Sequence, residues 1–114
     1  GSGLVGSEMC IRDRYKELAS DVRTKEGSAA AYYVLEDVFA GGDMDKAEKA
    51  IFAYSEREPQ AYWLAKAFIL LGDVYVRKGD NFQARATYQS VADGYSPADD
   101  GIVAEAKERI AKLN

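Results

Sequence analysis

The side chains here that could do chemistry are acids, phenols and hydroxyls, and no histidine accompanies them. That removes the commonest general base, pH switch and metal ligand together. Ser90 and Ser96 have no imidazole to take their protons, which excludes a serine triad. Asp43 and Asp80 each follow a turn glycine, a position where a short carboxylate caps a helix rather than acting as a catalytic acid. Asp99, Asp100 and Glu105 hint at a calcium loop, but the ligand spacing of an EF-hand is missing. No glycine-rich phosphate loop of the G-x-x-x-x-G-K type occurs. Cys10 is alone, so no internal disulfide or C-x-x-C pair exists. The expectation is a chain that is not an enzyme, with no catalytic residue, cofactor or metal site.

Composition narrows the class further. The chain has 114 residues, enough for one domain, and is 47% hydrophobic and 30% charged. Its formal net charge of −4 argues against a general nucleic-acid binder, which needs a basic face to displace counterions. No apolar run is long enough to predict a transmembrane helix. No basic stretch followed by an apolar one marks a secretory signal. Lys and Arg are mixed with acids along every periodic segment and read as solubilising, with i,i+4 pairs such as Glu105–Arg109.

The elements that must position any site are helices arranged around a repeat. Gly42-Asp43 and Gly79-Asp80 each lie between two amphipathic patterns, at an offset of 79 − 42 = 37 residues. A self-similar period in this range marks stacked repeats. Ile11, Tyr15, Leu18 and Val22 fall on one face of a helix predicted from about Glu8 to Lys25. Gly27 is expected to end it and Ser28 to cap the next, which carries Ala30, Tyr33, Val34, Asp37 and Val38 to about Ala40. A further helix from Met44 places Ala47, Ala50, Ile51 and Tyr54 together and ends before Pro59.

The longest predicted helix runs from about Pro59 to Arg77, with Trp63, Leu64, Ala67, Leu71, Val74 and Tyr75 as its stripe. The next aligns Ala84, Tyr88, Val91 and Tyr95 and stops near Gly94. The last, capped by Asp99 or Asp100, aligns Val103, Ala106, Ile110 and Leu113. Most aromatic residues, including Tyr33, Trp63, Tyr75, Tyr88 and Tyr95, are expected inside. No segment alternates with the period of a strand.

Segment 65–97 resembles a tetratricopeptide repeat. Leu71-Gly72, Tyr75, the inter-helix Gly79, Ala84, Tyr88 and Pro97 meet that family's pattern, with the proline one place late. Segment 28–59 is a weaker copy that keeps Ala47 and Pro59 but has Leu35 for the small residue and Val38 for the tyrosine. The period of 37 exceeds the family's 34, and the extra residues are expected to lengthen the start of the helix predicted from about Pro59. The resemblance implies an all-α right-handed superhelical stack of antiparallel helix pairs, an α-solenoid of about six helices. A single domain over 15–114 would hold repeats 28–59 and 65–97 and a capping helix over 99–113. Gly72 and Ala84 would let paired helices approach, with Tyr75 and Tyr88 filling the space around them.

Two further resemblances concern origin. Gly1-Ser2-Gly3 looks like a vector scar, and 4–14 resembles translated sequencing-adaptor DNA, which implies a natural start near Tyr15 and a fragment of a longer protein. Segment 61–68 is similar to bacterial cell-envelope repeat proteins, favouring the periplasm over the cytoplasm.

In the tetratricopeptide family the first helix of each pair lines the concave surface. By position this implies Tyr32, Glu36 and Phe39 from the first repeat and Lys66, Ile69, Asp73 and Arg77 from the second. The implied function is a non-catalytic scaffold holding a peptide or protein segment in that groove. The alternative is a structural spacer or self-association module without a ligand. A weak homodimer through the N-terminal helix is also expected, because that helix has no obvious polar outer face.

Overall fold

A computed structural model of the chain describes residues 22–96 and 100–113. These hold five α-helices packed on one another, against the six expected: α1 (Lys25–Ala40), α2 (Met44–Glu56), α3 (Ala61–Arg77), α4 (Asn81–Gly94) and α5 (Ile102–Lys112). No strand occurs among the described residues. The arm 1–14 with Cys10, most of the helix expected over 8–25 with Ile11, Tyr15 and Leu18, and the residues Pro97 and Asp99 lie outside them, as does the dimer surface assigned to that helix. None of the described helices is long and apolar enough to cross a membrane.

The start of α1 differs from the expectation. Thr24 is the N-cap, and its hydroxyl accepts from the Gly27 N–H at 2.9 Å. Gly27 and Ser28 therefore sit inside the first turn rather than between two helices. Ser28 is buried and acts as a polar clasp. Its hydroxyl donates to the Val22 carbonyl and accepts from the Gln60 N–H at 3.0 Å, while its own carbonyl accepts from the Tyr54 hydroxyl at 2.8 Å. Three segments are tied at one residue. The buried face of the helix also differs from the expected one. Ser28, Ala31, Tyr32 and Leu35 are buried, whereas Tyr33, expected inside, is 45% exposed.

The two repeated turns are built as their sequence implies. Gly42 and Gly79 adopt φ of +92° and +82°, a region that L side chains rarely enter. Asp43 and Asp80 then cap α2 and α4, each accepting from the N–H three residues on, at 3.1 and 3.0 Å. The connection into α3 is different. Glu58 takes φ +56°, Pro59 is buried, and Gln60 caps α3 without a side-chain hydrogen bond. At α5 the helix begins at Ile102, and Asp100 accepts from the Ile102 N–H at 3.1 Å.

Each helix packs on its neighbour in sequence, and α3 packs on all four others. This accounts for its composition: Ala65, Ala67, Ile69, Leu70, Leu71, Gly72, Val74 and Tyr75 are all buried, more than one stripe of a helix. Gly72 permits the closest approach. A methyl group there would lie 2.2 Å from Cε1 of Tyr88, so the α4 ring rests on the α3 backbone. Ala84 and Ala47, at equivalent places on α4 and α2, are both fully buried.

Gly72→Ala is expected to lower stability by about 1–3 kcal/mol through overpacking. Tyr88→Leu destabilises by itself, but Gly72→Ala should then cost little on that background. Urea denaturation of the four proteins measures both. Additive losses would mean that the two residues do not share this space. Ala84→Leu is expected to cost a similar amount, about 1–3 kcal/mol.

Candidate functional site

Helices α1, α3 and α5 are not adjacent in sequence, yet α3 touches both of the others. Their shared face carries a chain of polar contacts above the core. At its first end the Lys66 ammonium lies 5.7 Å from the centre of the Tyr32 ring and 4.0 Å from Glu105 Oε2. Glu105 also pairs with Arg109 across one helical turn at 3.5 Å. Arg109 then reaches Asp73 with two nitrogens, Nε at 3.1 Å and an Nη at 3.5 Å. Asp73 accepts a third bond from the Tyr88 hydroxyl. One carboxylate on α3 thus holds a phenol from α4 and a guanidinium from α5.

Beside Asp73 the face opens into a cavity of about 360 Å3. Phe39, Val76 and Leu113 supply apolar wall, and Arg77, Arg109 and Lys112 supply cationic edge. The Arg77 guanidinium lies 5.2 Å from the centre of the Phe39 ring, a cation–π distance. A second cavity of about 300 Å3, lined by Leu64, Phe68, Val91 and Tyr95 among others, carries no charged side chain.

Five of the seven residues implied by position, Glu36, Phe39, Lys66, Asp73 and Arg77, lie on this face without being fully buried. Phe39, Asp73 and Arg77 meet at the cavity. Lys66 is half-buried over Tyr32, and Glu36 is exposed beside the Tyr32 phenol. The other two are corrected. Tyr32 is only 5% exposed and Ile69 2%, so both belong to the core. Ile69 is covered because α3 is enclosed by four helices, not two. Tyr32 lies on the buried face of α1 with Ser28, Ala31 and Leu35, its ring centre 5.5 Å from that of Trp63 on α3.

The residues missed were those of α5. Glu105, Arg109 and Lys112 read as solubilising, yet Arg109 bonds Asp73 on α3. The offset that carries Glu36 to Asp73 leads on to Ile110, a half-buried apolar residue, so the repeat did not single out Arg109.

Burial raises several phenol pKa values. Tyr32 is pushed up by burial and then by Glu36, and Tyr88 by burial and then by Asp73. Tyr54 and Tyr75 are each pushed up to about 12, first by burial. Tyr75 also donates to Glu48 at 2.8 Å, in a cluster where Lys78 reaches Asp45 at 2.7 Å and Glu48 at 3.1 Å. These two acids hold Lys78 protonated above the usual lysine range.

Among the described residues no group of three or more Cys, Asp or Glu is placed to hold a metal ion. Comparison of the chain with known protein families, with curated proteins and with solved structures finds no match.

Asp73→Ala strands both the Tyr88 hydroxyl and the Arg109 guanidinium, and is expected to cost about 1–3 kcal/mol. Tyr88→Phe should cost less, because Asp73 keeps Arg109. Equal losses on urea denaturation would remove Asp73 as the shared acceptor. Stability should also fall as pH rises from about 10, where unfolded tyrosine ionises, to about 12, where Tyr54 and Tyr75 ionise in the fold. In that window the native state binds more protons than the unfolded one, so the slope is negative. The raised pKa of Lys78 acts in the same direction. A urea midpoint that rises across this window would contradict the assignment.

Proposed function

We propose that the chain is a non-catalytic protein-interaction module of the tetratricopeptide kind, which holds a peptide or protein segment on the face shared by α1, α3 and α5. The cavity bounded by Phe39, Val76, Arg77 and Leu113 carries this reading. It is a depression with apolar walls and a few polar groups at its edge, the form that seats one anchoring side chain of an extended partner. Three features support the helical-repeat part. The turn glycines and their capping aspartates recur at one offset, α4 packs through the small Gly72 and Ala84, and α1, α3 and α5 meet in series.

The face is also prepared before a partner arrives. Asp73 is bonded to Tyr88 and Arg109, and Lys66 is held between Tyr32 and Glu105. Side chains already ordered lose less entropy on binding. The partner itself would be extended, because the opening admits a side chain and not a folded surface.

A second reading, the self-association module, has one observation in its favour: Phe82 is 85% exposed on α4. Selection from a displayed library of random peptides separates the two. The interaction module is expected to enrich a set of peptides, and Phe39→Ala should lose them while its helical circular dichroism spectrum is retained. No enrichment, together with a Phe82-dependent dimer in sedimentation, would favour self-association.

A further inference from the structure

We infer that the occupant of the Phe39–Arg77 cavity is an acidic peptide segment, one large apolar side chain flanked by Asp or Glu. This rests on the peptide-holding role above and deepens it by naming the chemistry of the partner.

Charge complementarity selects this occupant. Of the three cations at the cavity edge, Arg109 is already held by Asp73 and Glu105, which leaves Arg77 and Lys112 for a partner. Lys112 has Glu108, but that pair is two-thirds exposed and spans one helical turn, so it is weak and readily exchanged. Arg77 is exposed and stacked on Phe39 with no acid at ion-pair distance among the described residues. Each cation also faces the last turn of its helix, where the terminal carbonyls carry about half a negative charge. That offsets part of the positive potential and leaves whole guanidinium and ammonium groups toward the opening.

The cavity dimensions fix the remainder of the occupant. About 360 Å3 exceeds a single large side chain and falls short of a folded element. Phe39, Val76 and Leu113 would cover the apolar anchor. Arg77 would then receive a neighbouring carboxylate with its guanidinium already held over the Phe39 ring, in the planar fork that suits carboxylate. The carboxylates are assigned to side chains of the segment and not to its chain terminus.

The library selection reads this directly. Enriched peptides should carry Asp or Glu next to one large apolar residue, and Arg77→Glu should select against the acids. One enriched sequence, made with acetyl and amide ends, is then measured by fluorescence anisotropy. Arg77→Gln is expected to weaken it roughly tenfold, as is replacing its acids by amides. Raising the salt should weaken the parent complex and change the Arg77→Gln complex less. Enriched peptides with neutral or basic flanks would overturn the acidic occupant and leave the peptide-holding role standing. Loss of binding on amidating the chain terminus alone would also overturn it. No enrichment at all would remove both.

Discussion

The contact of the Tyr88 ring with the Gly72 backbone sets the geometry on which the shared face depends. Removing one side chain from α3 lets a large one from α4 lie across it. The ring is buried, but its hydroxyl emerges beside Asp73, the residue after the glycine. Asp73 is then oriented to receive Arg109 from α5. A steric fact in the core thus decides where a guanidinium sits at the surface. The same dependence makes the face stiff, because displacing Arg109 disturbs an acceptor that also holds the core tyrosine.

The first repeat divides its volume differently, and this gives the face its direction. The offset of 37 places Leu35 opposite Gly72 in register, and Ile51 opposite Tyr88. Both are buried, so a bulky helix residue and a medium one replace the glycine and the phenol. Isoleucine at 51 has no hydroxyl to offer the acid at 36, and Glu36 stands exposed as a hydrogen-bond partner of the Tyr32 phenol instead. The acid at 73, by contrast, is consumed by two donors. One end of the face therefore keeps an exposed carboxylate while the other keeps a stacked guanidinium.

Much of the helical plan was legible, and the reasons differ by element. Turns at Gly42 and Gly79 could be placed because a positive φ and a capping aspartate leave a local signature. The α2 and α4 stripes were legible because those helices bury one face each: Ala47, Ile51 and Tyr54, then Ala84, Tyr88 and Val91. For α1, Gly27-Ser28 looks like a boundary, and nothing local shows that Thr24 captures the cap while Ser28 is drawn into the core by Val22 and Gln60. Tyr32 is buried and Tyr33 exposed because the packed face of α1 is the one that carries Ser28, Ala31 and Leu35. On α3 the stripe was right but too narrow, since enclosure by four helices is a tertiary fact. The site was half legible for a similar reason. Glu105 and Arg109 are one turn apart and read as a self-contained surface pair, whereas the bond from Arg109 to Asp73 spans 36 residues.

That pairing also shows why net charge is a poor guide to the face. The chain carries −4 overall, which at long range repels an acidic partner. At physiological ionic strength the screening length is about 8 Å, so a group in the cavity responds mainly to charges within a few side chains of it. Within that distance Asp73 and Glu105 hold Arg109 and Glu108 pairs with Lys112, which leaves Arg77 as the cation with no acid at ion-pair distance among the described residues. The acids that make the chain negative include Asp45 and Glu48, which are gathered around Lys78 and Tyr75 in a separate cluster. Long-range repulsion acts chiefly on the rate of encounter, and the local cations act on how long a bound segment stays. The two effects oppose each other, so a complex formed here would associate slowly for an acidic ligand and owe its affinity to slow release.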